Sequence, residues 1–185
     1  MKIKTRDMIL VALFASLSAI GAFIKIPIGP APISLQLLFV ALSGIILGSK
    51  LGALSQIIYV LLGLIGLPVF TEGGGITYIF KPSFGYLLGF ILASYIIGKI
   101  IETNKEISFI KILITSITGS LLVYLIGVPY MYFIVNNVMH VSMSLNKTLQ
   151  VGFIVFLPGD LIKCIIVAFL SVKIIPALNF RANFQ

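Results

Sequence analysis

Asp160 and Lys163 stand three positions apart in the segment Pro158-Gly159-Asp160-Leu161-Ile162-Lys163, within an otherwise apolar run. On a helix that spacing puts both side chains on one face, where they can meet each other or a single ligand. A charged group at the centre of a bilayer costs about 2.5–3.5 kcal/mol on insertion scales, so neither is expected to face lipid. Both are expected to face a bundle interior or a wet cavity, which makes them candidates for a functional site. A self-neutralising pair near the membrane interface is the plainer alternative.

Two other stretches carry more chemistry than lipid-facing sequence needs. Between Pro27 and Gln36, prolines at 27, 30 and 32 forbid helix and stiffen an extended loop. Gln36 then brings an amide, with donors and an acceptor, into the apolar region. Downstream, Gly73-Gly74-Gly75 lets backbone approach a ligand closely. Phe70, Tyr78, Lys81, Ser83 and Tyr86 surround those glycines with rings, hydroxyls and one cation. The glycines have neither the preceding strand nor the following Lys-Ser/Thr of a phosphate loop. A loop capping a cavity fits better, because irregular backbone at membrane depth has to be covered by protein.

Other chemistries find little support. Cys164 is the one cysteine and His140 the one histidine, and only five carboxylates are available in 185 residues. No internal disulfide, histidine metal cluster or Ser-His-acid set follows from that inventory, so neither metal nor catalytic residues are assigned and no cofactor is expected.

The elements that must position these groups are membrane helices. The chain is 59% hydrophobic and 10% charged, less than half the charge of a soluble domain. Its net charge of +8 is spread too thinly for a nucleic-acid partner. An all-α integral membrane protein is expected, a single domain over 1–185 with six transmembrane helices at 8–26, 33–48, 51–67, 84–101, 109–135 and 158–175. The second and third are short and glycine-rich, which suggests close packing or incomplete spans. A short amphipathic segment over 147–156 should precede the last helix. The apolar start resembles a secretory signal, but its removal would spoil the charge asymmetry, so the first helix is expected to stay. Six spans put Lys2, Lys4, Arg6, Lys50, Lys99, Lys105, Lys111, Lys173 and Arg181 on one face, and Lys25, Lys81 and Lys147 on the other. Positive-inside bias then makes both termini cytoplasmic. On the first helix Ala12, Ala15, Ser16, Ala19 and Ala22 form a narrow small-residue stripe, suited to close contact with another helix inside the bundle or on a partner.

Taken in order, Pro30-Ala31-Pro32-Ile33-Ser34-Leu35-Gln36, Gly52-Ala53-Leu54-Ser55, Gly66-Leu67-Pro68-Val69-Phe70, Pro82-Ser83-Phe84-Gly85-Tyr86 with Gly89-Phe90, and the Asp160–Lys163 segment span nearly the whole chain. In that order and spacing they resemble the biotin-specific S component (BioY family) of energy-coupling-factor vitamin transporters. The resemblance implies a multi-pass protein of a prokaryotic plasma membrane with a high-affinity biotin pocket near its outer face. It implies partners as well: a transmembrane coupling subunit (EcfT), on which the first helix docks through Ala12, Ala15, Ser16 and Ala19, and two ATPase subunits (EcfA and EcfA'). Lys81 departs from the small or neutral polar residue usual before that proline, and Ser83 from the more usual threonine. An S component for another vitamin and a stand-alone secondary transporter are the alternatives.

Biotin would set the roles of the candidates. Asp160 can accept from ureido N–H groups, and Lys81 or Lys163 can pair with the carboxylate, with Lys163 the first choice. Gln36 and Ser83 offer neutral hydrogen bonds. Phe70, Tyr78 and Tyr86 can enclose the ring system, under the glycine loop at Gly74.

Overall fold

The computed structural model describes residues 4–104 and 108–177. Lys2, Lys105 and Arg181, counted above among the basic residues of one face, lie outside the described residues. The first helix, α1 (Thr5–Phe23), ends short of the expected 26 because Lys25 and Ile26 enter a two-stranded sheet. In that sheet β1 (Lys25–Ile26) runs antiparallel to β2 (Ile33–Ser34), with Lys25 opposite Ser34 and the prolines in the turn. There follow α2 (Gln36–Leu64), a tight 3-10 turn over Ile76–Phe80, α3 (Phe84–Thr103) and α4 (Phe109–Phe133). A wider π turn, Ile134–Val138, continues α4. The short α5 (Leu145–Leu149) passes through a second π turn, Gln150–Ile154, towards α6 (Leu157–Ala177). Five of these helical stretches are long and apolar enough to cross a membrane.

The segments expected as separate helices at 33–48 and 51–67 form the single element α2, but α2 is not straight. Gly48 has φ 80° and ψ −179°, outside any helical conformation. The amide of Gln36 donates to the Tyr59 hydroxyl at 2.7 Å, and that of Gln56 to Ser43 Oγ at 3.2 Å. A straight helix would hold Gln36 and Tyr59 about 34 Å apart, at 1.5 Å per residue. The element therefore doubles back at Gly48 into two antiparallel halves. They touch closely, since a Cβ on Gly52 would lie 3.0 Å from Gly44 Cα. Glu102, in the last turn of α3, closes the reversal. Its carboxylate accepts from the Ser49 backbone N–H at 2.7 Å and from the Ser49 hydroxyl at 2.9 Å. That puts a negative charge at the start of the second half, where the helix dipole favours it.

Hydrogen bonds tie the first helices together through their middle. Ser18 of α1 donates to Gln56, Gln56 donates to Ser43, and Ser43 is hydrogen-bonded to Ser94 of α3 at 2.8 Å. In hydrocarbon each of these polar groups needs such a partner. To one side lies an aliphatic core that includes Val11, Phe14, Ile45, Ile97, Ile112 and Val167. The other core is rich in aromatic rings, among them Tyr59, Phe70, Tyr78, Tyr86, Tyr124 and Phe156. The outward surfaces of α1 and α6 carry exposed Met8, Ile9, Leu13, Ile162, Ile165 and Phe169, as a lipid-facing surface should.

The Gly48 conformation falls in a region essentially reserved for glycine and costs other residues about 1–3 kcal/mol. Gly48→Ala should lower the thermal unfolding midpoint of the detergent-solubilised protein. An unchanged midpoint would mean that the reversal tolerates a side chain.

Candidate functional site

The aromatic core encloses a chamber with about 500 Å³ of empty space, part of it open to the outside. Each helix except α1 and α5 contributes to its wall. The first half of α2 supplies Gln36 and Leu37, α3 supplies Tyr86, Leu87 and Phe90, and α4 supplies Val123 and Tyr124. The remaining wall comes from Asp160 and Lys163 of α6, from Phe156 just before it, and from the loops that bear Ala31, Pro32, Ser34, Thr71, Tyr78 and Ser83.

Asp160 and Lys163 are each 6% exposed. Their i,i+3 spacing on α6 brings Lys163 Nζ to 2.6 Å from Asp160 Oδ1. The second carboxylate oxygen, Oδ2, accepts from the Tyr124 hydroxyl across the α4–α6 contact. A carboxylate has about four lone-pair positions and an ammonium three donors, so each retains capacity for a ligand. Side by side they present an acceptor and a donor to one visitor.

Facing groups are neutral. Ser34 donates to Gln36 Oε1 at 2.8 Å, and Gln36 in turn donates to Tyr59, whose hydroxyl donates to the Val69 carbonyl. Thr71, Tyr78 and Ser83 form a hydroxyl chain, with 2.9 Å from Thr71 to Tyr78 and 3.0 Å from Tyr78 to Ser83. Burial pushes the Tyr78 phenol above its ordinary pKa, against the opposing pull of the Ser83 and Thr71 hydroxyls. It therefore stays protonated at neutral pH. The Tyr86 hydroxyl donates to the Gly152 carbonyl at 2.8 Å, leaving its ring flat against Phe156 at 5.9 Å between centroids. Tyr124 stands edge-on to Phe153 at 4.8 Å. The result is an aromatic enclosure with a few fixed polar points, the usual design of a small-molecule pocket.

Six of the residues singled out from sequence thus line one chamber: Asp160, Lys163, Gln36, Ser83, Tyr86 and Tyr78. Three do not line it. Phe70 is buried one layer back, with its ring 4.5 Å from that of Tyr78 and pressed on Gly63. Gly74 serves loop packing, since a Cβ there would lie 2.1 Å from the Leu67 carbonyl oxygen. Lys81 is exposed, and only its neighbours in the turn reach the wall. Tyr124, Thr71, Ser34 and Phe156 were not singled out. Tyr124 left one trace, a hydroxyl inside an apolar run, which its partner Asp160 explains only once the fold is known.

The small-residue stripe on α1 is divided between a buried and an exposed side. Ala15 is 3% exposed and packs within the aromatic core, with Ala19 partly buried against it. Ala12 and Ser16 lie on the exposed side. Positions 15 and 22 turn inward because α1 must also pack on α2, where Gly21 meets Phe39 and Gln36.

Comparison with known proteins agrees over nearly the full length. A sequence model of the BioY family matches residues 1–180. The chain is 40% identical over 170 residues to a probable biotin transporter BioY of Lysinibacillus sphaericus, covering 92% of this chain and 87% of the relative. It is 39% identical to the biotin transporter BioY of Thermotoga maritima, covering 91% of this chain and 95% of that one. A solved crystal structure, the S-component for biotin from an ECF-type ABC transporter, superposes with a TM-score of 0.84 at 29% identity, covering 97% of this chain and 96% of that one.

Removing one member of a buried ion pair strands the other and costs about 3–5 kcal/mol, whereas replacing both with apolar groups often costs little. Asp160→Ala should therefore destabilise the ligand-free protein strongly. The double variant Asp160→Leu with Lys163→Met should unfold at a higher temperature than either single variant.

Proposed function

The chain belongs to the BioY family and is a biotin-specific S component of an ECF-type transporter in the cell membrane, and we propose that it captures biotin in the chamber built on Asp160 and Lys163. Its family is one of transporter subunits, not enzymes, and the work asked of the site is binding. The observation that carries the reading is the nearly sealed Asp160–Lys163 pair at the wall of an aromatic chamber. A ureido group offers two N–H donors and one carbonyl acceptor. Asp160 can accept from one N–H while Lys163 donates to the adjacent carbonyl oxygen, so a neutral ligand head meets both charges at once. Tyr86, Tyr124 and Phe156 supply apolar faces for the fused rings, and Gln36 and Ser83 supply neutral hydrogen bonds. Of the two lysines considered for the ligand carboxylate, Lys163 is committed to Asp160, and Lys81 is exposed outside the wall.

The topology that we propose has six crossings and both termini in the cytoplasm. The reversal at Gly48 supports it, because it splits α2 into two passes and adds one to the five apolar stretches. Lys4, Arg6, Lys50, Lys99, Lys111 and Lys173 then fall on the cytoplasmic side, in keeping with positive-inside bias. The chamber, with β1, β2 and the 65–83 segment above it, opens outward. Delivery of the vitamin would depend on a transmembrane coupling subunit (EcfT) and two ATPase subunits (EcfA and EcfA'). The exposed Ala12 and Ser16 are the part of the α1 stripe free to seat on that coupling subunit.

Direct binding of labelled biotin to the purified protein tests this reading, with thiamine and riboflavin as competitors. Biotin alone should displace the label. Asp160→Ala and Lys163→Ala should each weaken binding at least about tenfold, since a hydrogen bond to a charged group contributes about 1.5–3 kcal/mol. Full affinity in both folded variants would reduce the pair to a structural one. A second assay separates binding from delivery: Ala12→Trp and Ser16→Trp should leave biotin binding intact while abolishing co-purification with the coupling subunit and ATP-driven uptake.

A further inference from the structure

The Asp160–Lys163 pair is neutral as a unit, with its charges 2.6 Å apart. An ionised carboxylate placed beside it would lose its water and meet an ammonium already neutralised, a poor exchange in a low-dielectric wall. A ligand that carries a carboxylate is better served by a free cation at the rim, where water still reaches. Among the described residues the outer side holds Lys25, Lys81 and Lys147.

Lys25 differs from the other two in what holds it. Its side-chain amine donates to the backbone carbonyl of Thr71, and Thr71 lines the chamber. Its backbone pairs across the small sheet with Ser34, another lining residue. The residue is thus held at the seam between two walls of the chamber, by its backbone on the Ser34 side and by its ammonium on the Thr71 side. An ammonium has three donors, and the Thr71 carbonyl takes one. The nearby acid, Glu72, is turned towards Ser83, whose hydroxyl donates to it at 3.4 Å. Lys25 is itself exposed, so its charge is hydrated until a ligand covers it.

We infer that Lys25, held between the Ser34 and Thr71 walls, is the cation that pairs with the carboxylate of a ligand seated head-first on Asp160 and Lys163, and so sets the preference for the free acid over its neutral derivatives. The inference rests on the biotin reading of the chamber. Covering the rim would exclude water from this ion pair and strengthen it relative to an exposed surface pair. The Thr71 contact fixes the amine beforehand, so little side-chain freedom is left to lose on binding.

The test pairs a protein variant with a ligand variant. Dissociation constants for biotin and for biotin methyl ester are measured on the full-length wild type and on Lys25→Met, Lys25→Arg, Lys81→Met and Lys147→Met. The wild type should bind the acid about tenfold tighter than the ester, as expected for one charge-assisted contact. Lys25→Met should erase that difference by weakening the acid about tenfold and the ester by less than about twofold. Lys25→Arg should keep most of the preference, and the other two variants should keep all of it. Equal weakening of acid and ester in Lys25→Met would show that Lys25 only fastens Thr71, and would overturn the inference. So would loss of the preference in Lys81→Met or Lys147→Met instead. A wild type that binds labelled biotin but prefers the ester overturns the role of Lys25 alone. One that binds neither ligand overturns the biotin reading as well.

Discussion

An ammonium and a carboxylate inside an apolar bundle must satisfy each other or be expelled, and the architecture around α6 follows from that constraint. Lys163 reaches Asp160 from one helical turn away, and Tyr124 completes the carboxylate from α4. The three groups fix the rotation of α6 against α4, because turning either helix would expose charge to lipid. With α6 so oriented, Phe156 and Tyr86 come face to face, and the aromatic chamber forms in front of the pair. A buried ion pair contributes little net stability by itself. Its value here is orientation: it points a donor and an acceptor at the same small volume.

The polar bonds elsewhere serve the same geometry. Gln36 sits at the chamber wall but is held by Tyr59, which lies on the returning half of α2. Tyr59 in turn holds the Val69 carbonyl, in the loop that leads to Thr71 and Tyr78. A change in the separation of the two α2 halves would therefore be felt in the loop over the site. Lower in the bundle, Ser18, Gln56, Ser43 and Ser94 tie α1, both halves of α2 and α3 into one block. The α6 side, carrying the charged pair, packs on that block through apolar side chains such as Val167 and Ile112.

Much of this was legible in the sequence, for identifiable reasons. Charge in an apolar run marked Asp160 and Lys163, because hydrocarbon tolerates few unexplained charges. Prolines and glycines marked the loops that wall the chamber, and the apolar runs marked the helices. The sequence was silent wherever function depends on which elements become neighbours. Tyr124 reads as one more membrane tyrosine until α4 packs on α6, and Thr71 as a loop hydroxyl until the chamber closes around it. Phe70 and Gly74 are of residue types that suit both ligand contact and tight packing, and in this structure both are packed behind the chamber wall. Ala15 is similar: a small residue on a membrane helix signals close approach without saying to what. The pairing of residues 36–47 with 49–64 could not be read from hydropathy, since Gly48 resembles the other glycines until its backbone angles are known.

The reversal at Gly48 also bears on how this protein sits among its lipids. At 1.5 Å per residue the two halves of α2 are only about 18 and 24 Å long, against a hydrocarbon layer of about 30 Å. Exposed helices of that length would force the bilayer to thin around them, at a fraction of a kcal/mol for each ångström of mismatch. Here 78% of the most apolar window of α2 is buried within the protein, compared with 33% for α1. The short pair is screened by its longer neighbours, so the surrounding membrane is matched to α1 and α6 rather than to the hairpin. Length is thereby uncoupled from bilayer thickness at the one place where the chain turns early, and the space above the shortened helices can belong to the chamber instead of to lipid.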